Sequence, residues 1–172
     1  MKSIAMFRNA IVLAALGASA GLALAAGTTP TNIGVSANVA SNCTIAADAS
    51  GLNFGTYDPL EKQDNTTSTE FKILCSKNAT YTIGLGAGQG IDATDAARSM
   101  KNGSEDAMNY SIYTDVTLQK NWGATENAPT GKGAGLGTGS EITLKVYGKI
   151  PKNQWTVGVG AYVDTVVATV SY

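Results

Sequence analysis

The chain has 172 residues, of which 12 are basic and 13 acidic, giving a formal net charge of −1, and it contains no histidine. No basic stretch is interleaved with aromatic residues, so we expect no nucleic-acid partner. Because histidine is the commonest general base and neutral metal ligand, its absence argues against catalysis and against a metal site. We expect a protein that is not an enzyme and has neither a cofactor nor a small-molecule substrate.

Residues 1–25 have the pattern of a secretory signal peptide. Lys2 and Arg8 supply the positive start, residues 11–24 form an apolar run, and Ala23–Ala25 offers an A-x-A cleavage site. A membrane anchor is the alternative, but the run is short and rich in small residues. We therefore expect an exported protein with one domain in the remaining residues.

The stretch Thr31–Ile45 follows the leader, and over residues 32–39 it alternates strictly between apolar and polar or small residues. This pattern predicts a strand with one face intended for burial. Its apolar residues are Ile33, Val35, Ala37 and Val39. A strand so close to the start of the exported chain has two interpretations. Either it is the first strand of its own domain, or its apolar face is intended for another molecule.

Cys43 and Cys75 both lie in the exported part of the chain. An even number of cysteines in an oxidising compartment favours a disulfide over two free thiols. Closing a loop of that length stabilises a domain by about 3–4 kcal/mol in the chain-entropy model. Two cysteines without histidine do not make a zinc site.

The rest of the chain reads as short alternating segments separated by turns. Strands are predicted over residues 52–58, 70–75, 81–85, 109–114, 141–150 and 162–172, with residues 118–122 as an extension of the fourth. Loops or polar stretches are predicted over residues 60–68, 86–95, 98–106 and 124–140. No helical period appears outside the leader, so the pattern predicts an all-β sandwich.

The acidic residues give no clear catalytic pattern. Carboxylates such as Asp58, Asp92 and Asp115 are scattered over predicted turns, where a solvated charge is the simplest role. A glycosidase-like pair of carboxylates that meets only in the folded chain stays open at this point. No serine outside the leader lies in a G-x-S-x-G motif.

Seven blocks, taken in order, resemble the spore coat protein U domain family. They are Cys43-Thr44-Ile45, residues 52–59 (LNFGTYDP), Cys75 with residues 81–85 (YTIGL), residues 100–103, residues 109–115 (NYSIYTD), residues 144–151 (LKVYGKIP) and residues 162–172. The resemblance covers essentially the whole exported chain. The family includes bacterial secreted coat proteins and the pilins of archaic chaperone–usher systems.

This resemblance implies an incomplete immunoglobulin-like β-sandwich that lacks its last strand and is completed by a donated strand. A periplasmic chaperone first fills the gap, and the N-terminal strand of the next subunit then replaces it. The implied partners are neighbouring pilin subunits, the chaperone and an outer-membrane usher. The implied organisation is a signal peptide at 1–25, a donor segment at 26–42 and the sandwich at 43–172, in a protein exported through the periplasm to a surface pilus.

The resemblance also assigns roles to two sets of apolar residues. The donor residues are Ile33, Val35, Ala37 and Val39. The residues of the last strand that the chaperone or the donor is expected to contact, together with the terminal carboxylate, are Val166, Ala168, Val170 and Tyr172. The Ala37 side chain would fill little of a groove, so either the donor segment binds with modest affinity or other residues anchor the segment.

The main functional interpretation is a structural subunit of a chaperone–usher pilus that serves adhesion and biofilm formation. One alternative is a self-standing secreted coat or matrix protein with the same sandwich. Another is a carbohydrate-binding module in which exposed aromatic rings stack on sugars. Its aromatic residues would be Trp122, Trp155, Tyr113 and Tyr147.

Overall fold

The computed structural model describes residues 27–46, 51–104, 106–124 and 134–172. The signal peptide predicted at 1–25 lies outside these residues. The chain divides into two units, residues 1–37 and residues 38–172, which are described separately. Within the described ranges every regular element is a strand, and no helix there is long and apolar enough to span a bilayer.

The second unit contains eight strands. They are β1 (Cys43–Ile45), β2 (Asn65–Cys75), β3 (Thr80–Leu85), β4 (Arg98–Lys101), β5 (Ala107–Tyr113), β6 (Ala134–Leu136), β7 (Glu141–Ile150) and β8 (Ala168–Ser171). They form a five-stranded sheet in the order β1-β2-β7-β5-β4 and a three-stranded sheet in the order β6-β3-β8. All the pairings are antiparallel.

The two sheets enclose one hydrophobic core. The five-stranded sheet contributes Ile73 and Leu144, the three-stranded sheet contributes Ile83, and Trp122 lies between β5 and β6 in the chain. Along β7 the even-numbered residues turn inward while the odd-numbered ones are exposed or half-buried. The predicted strand over residues 141–150 and its inward face are therefore confirmed. The architecture is an immunoglobulin-like β-sandwich.

Three strands occur where loops or polar stretches were expected, and one of them, β6, lies within the loop predicted over residues 124–140. β2 begins at Asn65, so the loop prediction for residues 60–68 is wrong over its last part, because β2 pairs with β7 from Asn65 onward. β4 occupies residues 98–101 within a predicted polar stretch. Its first residue, Arg98, is fully buried, which the polar sequence pattern did not suggest.

Three predicted strands are shorter than expected or are not regular. The stretch Thr31–Ile45 is a strand only over β1, the last strand is regular only over β8, and residues 52–58 form no strand. A strand is defined by its hydrogen-bonded neighbour. Among the described residues, 52–58 and most of 162–167 have no neighbouring strand.

A candidate strand-binding groove

An apolar groove runs along one side of the second unit, between the chain segments 51–57 and 157–166. It consists of two adjoining depressions of about 410 Å³ and about 760 Å³. Leu52 and Phe54 line both depressions on one wall, and Tyr162 lines both on the other. The floor belongs to the five-stranded sheet and includes Met100, Met108, Tyr110, Ile112 and Ile150.

The first wall, residues 51–57, is held against the sheet by side-chain contacts. A Cβ atom at Gly148 would overlap Leu52 Cδ2 and lie 2.7 Å from Phe54 Cζ, so glycine at this position lets the wall approach β7. Asn65 Nδ2 donates to the Phe54 carbonyl at 3.0 Å. Tyr57 Oη donates to the carbonyl of Pro151, the residue that follows β7, at 3.0 Å. These contacts hold the wall in place, although it is not paired with a neighbouring strand.

The second wall, residues 157–166, is the approach to β8. Tyr162 Oη donates to the Gly158 carbonyl at 2.9 Å, which closes the turn before it. Val163 pairs with Lys101 of β4 through two backbone hydrogen bonds, Lys101 N to Val163 O at 3.0 Å and Val163 N to Lys101 O at 2.9 Å. These bonds tie the wall to the edge of the five-stranded sheet.

The backbone beside the groove is incompletely paired. Among the described residues, no backbone hydrogen bond joins 51–57 to a neighbouring strand. β8 pairs with β3 on one edge and is the last strand of its sheet, so its other edge has no strand partner in the part of the chain that the structure describes. An open edge beside an apolar groove is a binding site for an extended strand.

One polar cluster lies at the narrower end of the groove. Asp164 Oδ2 accepts a hydrogen bond from Tyr110 Oη at 2.6 Å, and Asp164 Oδ1 accepts from the backbone N–H groups of Gln89 and Thr165 at 2.7 Å each. Gly88 has φ +87° and no room for a Cβ atom beside the Asp164 carboxylate. Burial first, and then the bond to Asp164, raise the pKa of Tyr110, so its hydroxyl stays protonated.

A buried arginine on β4, opposite Tyr110 of β5, bonds several backbone carbonyls of the sandwich. Arg98 donates from Nε to the Gly86 carbonyl at 2.8 Å and from Nη1 to the Asp95 carbonyl at 2.6 Å. Its Nη2 donates to the carbonyls of Leu85 and Trp122, each at 2.7 Å. One guanidinium thereby satisfies four carbonyls that would otherwise need partners, which matches the planar fork of arginine donors.

Trp122 fills the core next to Arg98 and is 0% exposed. Its Nε1 donates to the Ile83 carbonyl, and its backbone N–H donates to the Ile112 carbonyl, both at 2.8 Å. We call the region around Arg98 and Trp122 the closed end. The indole cannot stack on a sugar, which removes one of the aromatic residues that the carbohydrate-binding interpretation requires.

The residues predicted on the last strand have three different environments. Val166 lines the groove. Ala168 and Val170 are half-buried and pack against the core. Tyr172 is 58% exposed and is not among the residues that line the groove.

Sequence reasoning missed the residues of the groove floor and the polar cluster. Tyr110 and Ile112 alternate within the predicted strand over residues 109–114, so their inward direction was readable. Their position in a groove depends on the segments 51–57 and 157–166, which are distant in sequence, and no local pattern encodes that arrangement. Leu52 and Phe54 were expected to alternate inward, and they do so without a ladder.

The predicted donor residues belong to a segment whose large side chains are exposed. Ile33, Val35 and Val39 are 82%, 92% and 87% exposed, and residues 27–42 form no strand. Three bulky aliphatic side chains at alternate positions in water are costly unless a partner buries them. The predicted disulfide between Cys43 and Cys75 is confirmed, and it joins β1 to the end of β2.

Comparison with known sequences supports the resemblance described above. A family model for the Spore Coat Protein U domain matches residues 29–169. The chain is also 36% identical over 162 residues to Protein U of Myxococcus xanthus, an alignment that covers 86% of this chain and 87% of that protein.

Three solved structures that resemble the chain come from pili. One is a chain of the CsuC–CsuE chaperone–tip adhesion subunit pre-assembly complex from archaic chaperone–usher Csu pili of Acinetobacter baumannii. It has a TM-score of 0.52 and 25% identity, and the match covers 78% of this chain but only 40% of that one. The P pilus rod subunit PapA gives a TM-score of 0.51 at 12% identity, covering 76% and 98% of the two chains.

A subunit of a chaperone–usher pilus, from a structure that addresses rod uncoiling, gives a TM-score of 0.51 at 14% identity, covering 86% and 99%. At such low identity the last two comparisons show the fold alone. The fold that they share with this chain is that of pilus subunits.

Proposed function

We propose that this chain, which belongs to the spore coat protein U domain family, is a structural subunit of a chaperone–usher surface pilus. The pilus would be assembled by donor-strand exchange. One observation carries the proposal: the same chain has an apolar groove with unpaired edges and an exposed segment with alternating apolar residues. The family model begins at residue 29, so the segment lies inside the region that the family shares.

The donor segment and the groove have complementary properties. Residues 27–42 contain no charged side chain, so the segment enters an apolar groove without removing a charge from water. The inserted backbone supplies ladder hydrogen bonds to the open edges, and its alternate side chains fill the depressions. Burying each of the larger donor side chains contributes roughly 1.5–3 kcal/mol. The donor residues are Ile33, Val35, Ala37 and Val39.

Donation from one copy to the next does not close on itself, and its product is a fibre. Before assembly the groove is an aggregation hazard, so a periplasmic chaperone covers it and an outer-membrane usher receives the complex. Val166, Ala168, Val170 and the exposed Tyr172 are the residues of the last wall and strand that we assign to these contacts. We place the protein, after removal of residues 1–25, in a surface fibre that serves adhesion and biofilm formation.

A peptide-binding experiment tests the proposal. A variant that lacks residues 31–39 keeps the groove without its donor, and it should bind a synthetic peptide of residues 31–41 with a 1:1 stoichiometry by calorimetry. The matched control is the same peptide with Ile33→Asp and Val35→Asp, which keeps the backbone but places charges in the groove. Equal binding of both peptides, or of neither, would contradict donor-strand exchange.

A second candidate is a self-standing coat or matrix protein. It is favoured by the family description, which names a spore coat protein, and by the 36% identity to Protein U of M. xanthus. A coat protein of this kind would be a stable monomer that folds without a chaperone and has no free groove. Sedimentation of the exported protein, produced without any chaperone, distinguishes the two functions.

A further inference from the structure

The residues just before β1 are bonded to the end of β2. Ser76 N donates to the Asn42 carbonyl at 2.8 Å, and Ser76 Oγ donates to the Ala40 carbonyl at 3.4 Å. Asn42 thus extends the β1–β2 register one step beyond the pair formed by Cys43 and Cys75. We call residues 40–42 the stem, because they join the donor segment to the sandwich.

This bonding sets the direction of the stem. After β1 the chain proceeds toward residues 51–57, which form the first wall of the groove. The stem leaves β1 in the opposite direction, alongside Ser76. The Cys43–Cys75 disulfide fixes the point from which it departs. The donor segment is therefore attached, through the stem, to the N-terminal end of β1. The groove wall follows the C-terminal end of β1.

Chain length alone does not prevent the donor segment from folding back along its own domain. Three residues separate Val39 from Cys43, and hairpin loops of two to five residues are common. β1 is also the last strand of its sheet, so it has an edge that a returning strand can meet. A strand tethered in this way has an effective concentration on the order of millimolar, far above the concentration of other copies. Self-insertion would outcompete assembly unless something prevents it.

We propose that Ser76 and the Cys43–Cys75 disulfide hold the stem along the end of β2, so that the donor segment is delivered to a second copy rather than to its own groove. This inference rests on the proposed function and deepens it. Ser76 is a positioning residue: it lines neither depression of the groove, and it determines which copy receives the donated strand.

The experiment changes the stem without changing the sandwich. A variant with Gly-Asn-Gly-Ser inserted between Val39 and Ala40 keeps both bonds to Ser76 but gives the donor a flexible loop for reversal. The matched control has the same insertion between Thr29 and Pro30, which leaves the stem length unchanged. Each protein is read by size-exclusion chromatography, by SDS-resistant ladders without boiling, and by uptake of a labelled peptide of residues 31–41.

The stem insertion should convert the protein to a monomer and lower its peptide uptake at least about tenfold, because the tethered strand competes from within. The control insertion should behave as the wild type. Ser76→Ala, which removes only the Oγ bond, should shift the same readouts in the same direction by a smaller factor.

If the stem insertion forms ladders and takes up peptide as the control does, the stem does not direct donation, and the inference is overturned. Peptide binding by the variant that lacks residues 31–39 would still support donor-strand exchange in that case. If neither that variant nor the insertion variants bind the peptide, the proposed function and the inference fall together.

Discussion

The closed end and the groove side of this sandwich differ in how deeply their side chains are buried and in how their backbone is paired. At the closed end, Trp122 is fully buried and Arg98 donates to four carbonyls. On the groove side, Leu52, Phe54 and Val166 are half-buried, and neighbouring backbone lacks a strand partner among the described residues.

The difference indicates where the stability of the subunit comes from. Trp122 and Arg98 are fully buried by their own chain, so we expect their contribution to folding to be independent of any partner. In the proposed function, the groove side gains burial and hydrogen bonds when a strand is supplied. The donor peptide should therefore change the stability of groove variants and leave the stability of closed-end variants unchanged.

The largest effect is expected for Trp122→Ala at the closed end. Removing a fully buried tryptophan should lower the free energy of unfolding by about 3–5 kcal/mol. The loss should be the same with and without the peptide of residues 31–41, since Trp122 does not line the groove. Urea denaturation followed by circular dichroism measures both values. A loss that the peptide restores would contradict the division into two regions.

The disulfide is expected to come next. The double variant Cys43→Ser with Cys75→Ser should lower the free energy of unfolding by about 3–4 kcal/mol, because the bond closes a loop with a sequence separation of 32. Dithiothreitol on the wild type should give the same loss and should have no effect on the double variant. A fully stable reduced protein would show that the β1–β2 pairing needs no covalent link.

A smaller effect, confined to the groove, is expected for Val166→Ala. Losing two methyl groups from the wall should weaken peptide binding by about tenfold, at roughly 0.8 kcal/mol per buried carbon. The adjacent Val167 is 64% exposed and does not line the groove, so Val167→Ala is the matched control and should bind normally. Calorimetry compares the two. Equal affinities would place the donor elsewhere.

The smallest effect is expected at high pH, through the polar cluster. Because the pKa of Tyr110 is raised in the folded state, the unfolded chain binds fewer protons above about pH 10, and stability falls as pH rises from there, by up to about 1.4 kcal/mol per pH unit. Below pH 10 this contribution is fully present. Tyr110→Phe should make unfolding less dependent on pH between 10 and 12. An unchanged slope would mean that other tyrosines, such as the buried Tyr81, dominate.

Much of the sandwich could be predicted from alternation alone. β7 matches its predicted bounds, and β3 and β5 lie within a few residues of theirs, because each buries one face and exposes the other. β4 could not be predicted, since its two buried residues are polar: Ser99, and Arg98, which donates to carbonyls distant in sequence. The first half of β2 is polar on both faces and depends on its pairing with β7.

The candidate site was predictable in kind but not in detail. The alternation at Ile33, Val35 and Val39 identified an apolar face, and the structure places those side chains in solvent. The groove that would bury them is built from two segments about a hundred residues apart, 51–57 and 157–166, over a floor from other strands. Contacts so distant in sequence have no local signature.

The most direct test of donor-strand exchange compares the exported protein with a variant that lacks residues 33–39. Size-exclusion chromatography and SDS-resistance without boiling are read on both. The account predicts SDS-resistant ladders from the intact protein and only monomer from the deletion, whose sandwich stays folded. A well-folded monomer from the intact protein, together with an unfolded deletion variant, would show that the segment belongs to its own sandwich and would contradict the pilin assignment.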